Sequence, residues 1–163
     1  GRILSDNDIR FALFAKVALD TLKRLYWKPD IIVCNDWQMS FIPQLLKEQY
    51  SDDDFYKDIK SVFMLQSLNN FRFFSKKSYE MINLGYKPKD KTIDNCCSAI
   101  EYSDLTIVVD NENKDLHKNI KSDKDLNKIY KKNKNMEVNL PTNAGTSDWL
   151  NLINNIDSIL HKV

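Results

Sequence analysis

Trp27-Lys28-Pro29-Asp30-Ile31-Ile32-Val33-Cys34-Asn35-Asp36-Trp37-Gln38 is the stretch on which the fold turns. An apolar run, Ile31 to Cys34, follows a Pro-Asp step and stops at a polar cluster of Asn35, Asp36 and Gln38. A short apolar run bounded in this way reads as a buried strand. Upstream, Phe11, Phe14, Ala15, Ala18, Leu19, Leu22 and Leu25 recur at helical spacing. They predict a helix from Asn7 to Tyr26, opened by the capping and acidic residues Ser5-Asp6-Asn7-Asp8 and broken by Pro29. Downstream, Phe41, Ile42, Leu45, Leu46 and Tyr50 predict a helix from Met39 to Glu48, with Pro43 in its first turn. Helix, strand, helix, with polar side chains at the carboxyl end of the strand, is how open α/β sheets present a ligand site.

The pattern repeats outward from there. Ser61 to Gln66 is a second apolar run and a second strand, preceded by a polar break at 51–54 and a short turn around Phe55, Tyr56 and Ile59. Ser67 to Phe74 is aromatic, Asn-rich and irregular. Residues 76–83 suggest a short helix stopping at Gly85, 87–91 a loop, and Asp94 to Tyr102 a helix. Leu105 to Val109 has the clearest strand composition. Polar helices are expected over 111–121 and 123–133, a short strand at 138–141 and a loop at 142–146. Ser147 then caps a last helix with Trp149, Leu150, Ile153, Ile156, Ile159 and Leu160 on one face. Strands alternating with helices predict an α/β fold: a Rossmann-like parallel sheet with helices on both faces.

Composition narrows the function classes. The 163 residues suit one domain, and 42% apolar content supplies a core. Lys and Arg total 24 against 23 Asp and Glu, so no polyanion partner is implied and nucleic acid is not expected. Lys114, Lys118, Lys121, Lys124, Lys128, Lys131, Lys132 and Lys134 are interrupted by Asp115, Asp123 and Asp125 and read as a solvated surface. No apolar run approaches the ~18 residues of a membrane span. Cys34 sits in an apolar strand and Cys96 and Cys97 are adjacent, which suits a reduced, cytoplasmic chain. No signal peptide is visible, and an opening Gly1 suggests that residues are missing from the N-terminus.

No metal site is expected: the cysteines lack metal spacing, and His117 and His161 fall on surface helices away from the strand ends. With three glycines the chain has neither a P-loop nor a dinucleotide fingerprint. The best constellation is Asn35, Asp36 and Gln38 after the first strand with Gln66, Ser67 and Asn69 after the second. If the strands are neighbours, both sets meet at one sheet edge. Amides there exchange hydrogen bonds with sugar hydroxyls, and Asp36 orients a hydroxyl or accepts a proton. The competing reading is that Asn35 and Asp36 cap the following helix. Phe71, Phe73 and Phe74 offer either a glycan platform or core packing beneath a loop, the latter preferred.

These residues carry a family resemblance. Asp6-Asn7-Asp8-Ile9-Arg10-Phe11-Ala12-Leu13-Phe14 resembles the D-N-x-x-R-F-A-x-F helix opening of bacterial glycogen synthases and plant starch synthases. Trp27 to Gln38 resembles their W-x-P-D-[IV]-[IV]-H-[CA]-H-D-W-H, Lys60 to Leu68 their K-x-V-F-T-I-H-N-L, and Ala99-Ile100-Glu101-Tyr102-Ser103-Asp104 their A-[IG]-x-Y-[AS]-D. The resemblance is specific over 5–113, leaving 114–163 as an unassigned closing segment of a single domain, and extends to short single-domain bacterial members. It implies part of the N-terminal, acceptor-side domain of a GT-B glycosyltransferase that moves glucose from ADP-glucose to an α-1,4-glucan. It further implies Asp36 and Gln66 at the catalytic positions and Asn35, Trp37, Gln38, Ser67 and Asn69 against substrate. No cofactor is implied beyond ADP-glucose as donor substrate, and the partners are an α-glucan, with a second copy or a synthase as protein partner. The family's histidines fall on Val33, Asn35, Gln38 and Gln66, and no donor domain follows residue 113. The chain alone is therefore expected to be inactive, or a degenerate glucan-binding or synthase-partner module.

Overall fold

The computed structural model describes residues 4–86, 91–141 and 143–163. The proposed loop at 87–91 lies outside these except for Lys91, as does Thr142 of the loop at 142–146. Helix α1 spans Asn7–Arg24 and buries Ala12, Ala15 and Leu19, one stripe at helical spacing. It stops earlier than its apolar pattern suggested, and Pro29 is not the cause. Tyr26 takes a left-handed conformation (φ 53°), with Tyr26 N–H on Lys23 O and Trp27 N–H on Leu22 O. That pair of bonds is a Schellman stop. At the other end Asp6 makes no cap bond and pairs with Arg10 instead, while Asp8 accepts from the Ser75 N–H at 2.9 Å.

Strand β1 is Ile31–Asn35. The helix expected from Met39 is split into a 3-10 turn, Trp37–Met39, and α2, Phe41–Glu48. Strand β2 is Lys60–Leu65. A 3-10 turn, Asn70–Arg72, leads into β3, Phe73–Ser75, which pairs antiparallel with β4, Thr92–Asp94. This two-stranded sheet was not foreseen, because three-residue strands carry no readable period. Helix α3 is Lys76–Met81, α4 is Asn95–Tyr102, and strand β5 runs Leu105–Asn111, past the expected end. The helix expected from 111 begins later, as α5 at Asp115–Ser122, after left-handed Lys114. Helix α6 is Lys124–Lys132, strand β6 Asn135–Leu140 and helix α7 Thr146–Leu160.

The main sheet has the order β1-β2-β5-β6, and each of its pairings is parallel. Strands added in one direction by right-handed crossovers place their helices on one face. Cys34, Phe63, Leu65 and Val108 point into that face, against α1, α2, α4, α5 and α6. The opposite face, Val62, Leu105, Ile107 and Val138, is covered by α7 through Leu152 and Ile159. Helices thus lie on both faces. α7, however, turns Leu152, Ile156, Ile159 and Leu160 inward and leaves Trp149, Leu150 and Ile153 half-exposed, so the single apolar face read from sequence is divided. Its N-cap is Gly145, whose N–H donates to Asp148, and not Ser147. No helix among the described residues is long and apolar enough to cross a membrane. All eight lysines of the basic stretch are exposed, and the three cysteines are free.

Candidate functional site

The carboxyl ends of β1 and β2 are adjacent, with Asn35 in register with Met64, so the two polar sets do meet. Asp36 is the hinge of the arrangement. Its backbone has φ 55° and ψ −173°, a region that is nearly glycine-only and costs on the order of 1–3 kcal/mol. The Asp36 N–H donates to Met64 O at 2.8 Å, continuing the ladder one residue past the strand. Its side chain caps neither of the following helical segments. It reaches across to the next strand end instead. Oδ1 accepts the N–H groups of Gln66 at 3.3 Å and Ser67 at 3.2 Å, and Oδ2 accepts the Ser67 hydroxyl at 2.7 Å. Three donors on one buried carboxyl make Asp36 a clip between two strand ends.

What the clip presents to solvent is a pair of amides. Gln66 Nε2 donates to Asn35 Oδ1 at 2.9 Å, with both side chains exposed. Gln66 retains its carbonyl and Asn35 its NH2 for a ligand. Asn69 Nδ2 donates to Ser67 Oγ at 3.1 Å, so Asn69 is tied to the same clip. Gln38 lies half-buried in the 3-10 turn. Trp37 is in the core at 8% exposure, edge-on to Phe11 at 5.3 Å and near Phe71 and Phe74 at 5.9 and 6.2 Å.

A buried polar chain supports the turn from below. Ser40 Oγ donates to Trp37 O, Asn95 Nδ2 donates to Ser40 Oγ, and the Tyr79 hydroxyl donates to Asn95 Oδ1. The Tyr79–Asn95 and Asn95–Ser40 links span 16 and 55 residues, so no sequence spacing announced the chain. At the end of β5, Asp110 accepts from the N–H groups of Leu116 and His117 and anchors α5. His117 is therefore not on a remote surface. It is half-buried beside this strand end, and its ring meets Glu137 of β6. A cavity of about 750 Å³ opens elsewhere, between α2, α4 and α6, and none of the strand-end residues lines it. It is bordered by groups already committed, such as Glu48 to Gln44 and to Gly85 N–H. The strand ends, with their strained Asp36, are the better candidate site.

With this geometry in view, comparison with known proteins is direct. The starch synthase catalytic domain family matches residues 2–131. Glycogen synthase of Clostridium perfringens is 52% identical over 63 residues, covering 39% of this chain and 13% of that protein. Glycogen synthase of Clostridium botulinum (Alaska E43) is 40% identical over 119 residues, or 64% and 24% of the two chains. That of Geotalea daltonii is 40% identical over 89 residues, or 55% and 18%. The present chain thus spans 13% to 24% of the length of these relatives. Among solved structures, the catalytic domain of Starch Synthase IV from Arabidopsis thaliana, bound to ADP and acarbose, superposes with a TM-score of 0.60. The match covers 84% of this chain and 30% of that one at 21% identity, and carries the fold alone. The sequence match over 2–131 and the parallel sheet agree: the chain belongs to the starch synthase catalytic domain family of glycosyltransferases.

Proposed function

We propose that this chain is an acceptor-side, glucan-handling part of a glycogen or starch synthase, and that by itself it does not transfer glucose. The observation that carries the reading is the Asp36 clip, which holds the exposed Asn35–Gln66 amide pair at the carboxyl ends of two parallel strands. Paired amides suit sugar hydroxyls. Neither amide ionises near neutral pH, so the pair supplies no general acid or base. Asp36 positions the pair, and Ser67, Asn69 and Gln38 complete the polar surround.

Incorporation of labelled glucose from ADP-glucose into glycogen tests the catalytic half of this reading. No turnover is expected, and turnover that Asp36→Ala abolishes would overturn it. Retention on immobilised glycogen tests the other half. The chain should be retained, and Gln66→Ala or Asn35→Ala should weaken retention about tenfold, the equivalent of one amide–hydroxyl contact.

A second reading, a module that pairs with a complete synthase or with its own copy, is favoured by a separate observation. Leu13, Phe14 and Val17 on α1 and Trp27 in the following turn are large apolar side chains left exposed. Sedimentation of the chain alone and mixed with Clostridium perfringens glycogen synthase separates the cases. A slower-moving species unchanged by mixing removes this second reading.

A further inference from the structure

We propose that Phe71 is a stacking platform for a sugar ring, extending the amide pair into a two-part saccharide site; this rests on the glucan reading above. Phe71 is half-exposed at 42%, although neighbouring Phe74 is fully buried. Its ring lies against Trp37 at 5.9 Å, tilted by 39°, so one side has a rigid backing and the other is left to solvent. Phe73 is about as exposed, but the Arg72 guanidinium lies over its ring at 4.6 Å. Phe71 has no such cover among the described residues.

Its position is fixed by the same groups that build the polar site. The Phe71 N–H donates to Asn69 Oδ1 at 2.9 Å, Asn69 donates to Ser67 Oγ, and Ser67 donates to Asp36. An unbroken hydrogen-bonded relay therefore runs from the strained Asp36 to the backbone of Phe71, with Gln66 on the same clip. An exposed aromatic held this firmly is preorganised, and burying its free face costs little side-chain entropy. The C–H face of a pyranose is apolar and its rim is hydroxylated. A fixed aromatic face beside paired amides matches both features. Ligand class and site agree: a linear glucan with one residue on Phe71 and a neighbour's hydroxyls on Gln66 and Asn35.

Affinity electrophoresis in glycogen gels, with maltoheptaose as soluble competitor, tests this on the whole chain. Phe71→Ala should reduce affinity about tenfold, while Phe71→Trp and the control Phe73→Ala stay within about twofold of the wild type. Trp37 fluorescence, isolated in a Trp27→Phe, Trp149→Phe background, should shift on adding maltoheptaose, and the shift should vanish with Phe71→Ala. Equal retention of wild type and Phe71→Ala overturns the platform and leaves the glucan reading standing. A Phe71→Trp protein that binds as poorly as Phe71→Ala, with native circular dichroism, also overturns it. Failure of the wild type to bind glycogen or maltoheptaose overturns both readings together.

Discussion

At the residue scale, two backbone positions in the left-handed half of conformational space do opposite things. Tyr26 is 93% exposed and ends α1 through main-chain bonds alone. Its side chain adds nothing there and its Cβ is a cost. Tyr26→Gly is expected to raise stability by about 0.5–1 kcal/mol, read as a higher urea midpoint at unchanged slope. Asp36 shows the reverse: its backbone strain is held in place by three hydrogen bonds from the next strand end. Asp36→Ala is expected to cost about 2–4 kcal/mol, since it keeps the strain and loses the clip. Thermal melts of the two variants should therefore move in opposite directions.

Asp36 also shows how far residue-level reading reaches. The sequence marks Asn35, Asp36 and Gln66 as polar residues at strand ends, and the structure brings them together. The role of Asp36 was not legible, because Asn and Asp after a strand look alike whether they cap a helix or cross to a neighbour. Only the distance between β1 and β2 separates the two. Trp37 illustrates the same limit: a tryptophan beside a polar cluster suggests substrate contact, but Phe11, packed edge-on from α1, makes it a core residue.

At the element scale, charged side chains tie together segments that are distant in sequence. Arg72 donates to Asp94, the N-cap of α4, at 2.8 Å and to Asp123, the N-cap of α6, at 2.7 Å. Its side chain is only 11% exposed. Arg72→Leu leaves two carboxyls facing one another and is expected to cost about 3 kcal/mol, measured by chemical denaturation. Asp104 fastens β2 to α2 through Ser61 N–H and Lys47, each at 2.8 Å. Burial pushes its carboxyl up, but the Lys47 and Ser61 bonds and the nearby Lys60 charge outweigh burial and hold it below its ordinary value. Because its folded pKa is depressed, the contribution is present above the unfolded value of about 4 and is lost as pH falls through the folded one. Asp104→Asn should therefore be less stable than the wild type by about 1–2 kcal/mol at pH 7, with the gap narrowing below about pH 4. A gap that widens on acidification would contradict the assignment.

At the scale of the whole molecule, the sheet is asymmetric. Asp36 N–H bonds Met64 O and Lys60 N–H bonds Asp30 O, so even-numbered residues of β1 face β2 and the N–H groups of Ile31, Val33 and Asn35 point outward. Hydrogen exchange should be fast at these three and slow at Ile32 and Cys34. Protection of the outward set on raising the concentration would locate a partner strand on that edge. The sheet is covered on one face by helices from five segments and on the other by α7, which leaves Val33 40% exposed. Parallel sheets are ordinarily covered on both faces.

The sequence by itself determined the alternation of helix and strand, the α/β class and the family, because hydrophobic period and short motifs are local and survive in a linear string. It also marked the strand ends where the polar groups gather. The tertiary structure alone decided which strands are neighbours, that Asp36 clips instead of capping, that α7 divides its apolar residues between sheet and solvent, and that Phe71 faces outward while Phe74 does not. Each of these depends on packing between residues tens of positions apart. Side-chain identity sets which contacts a residue can make, but the distance to a partner in space selects the one it does make.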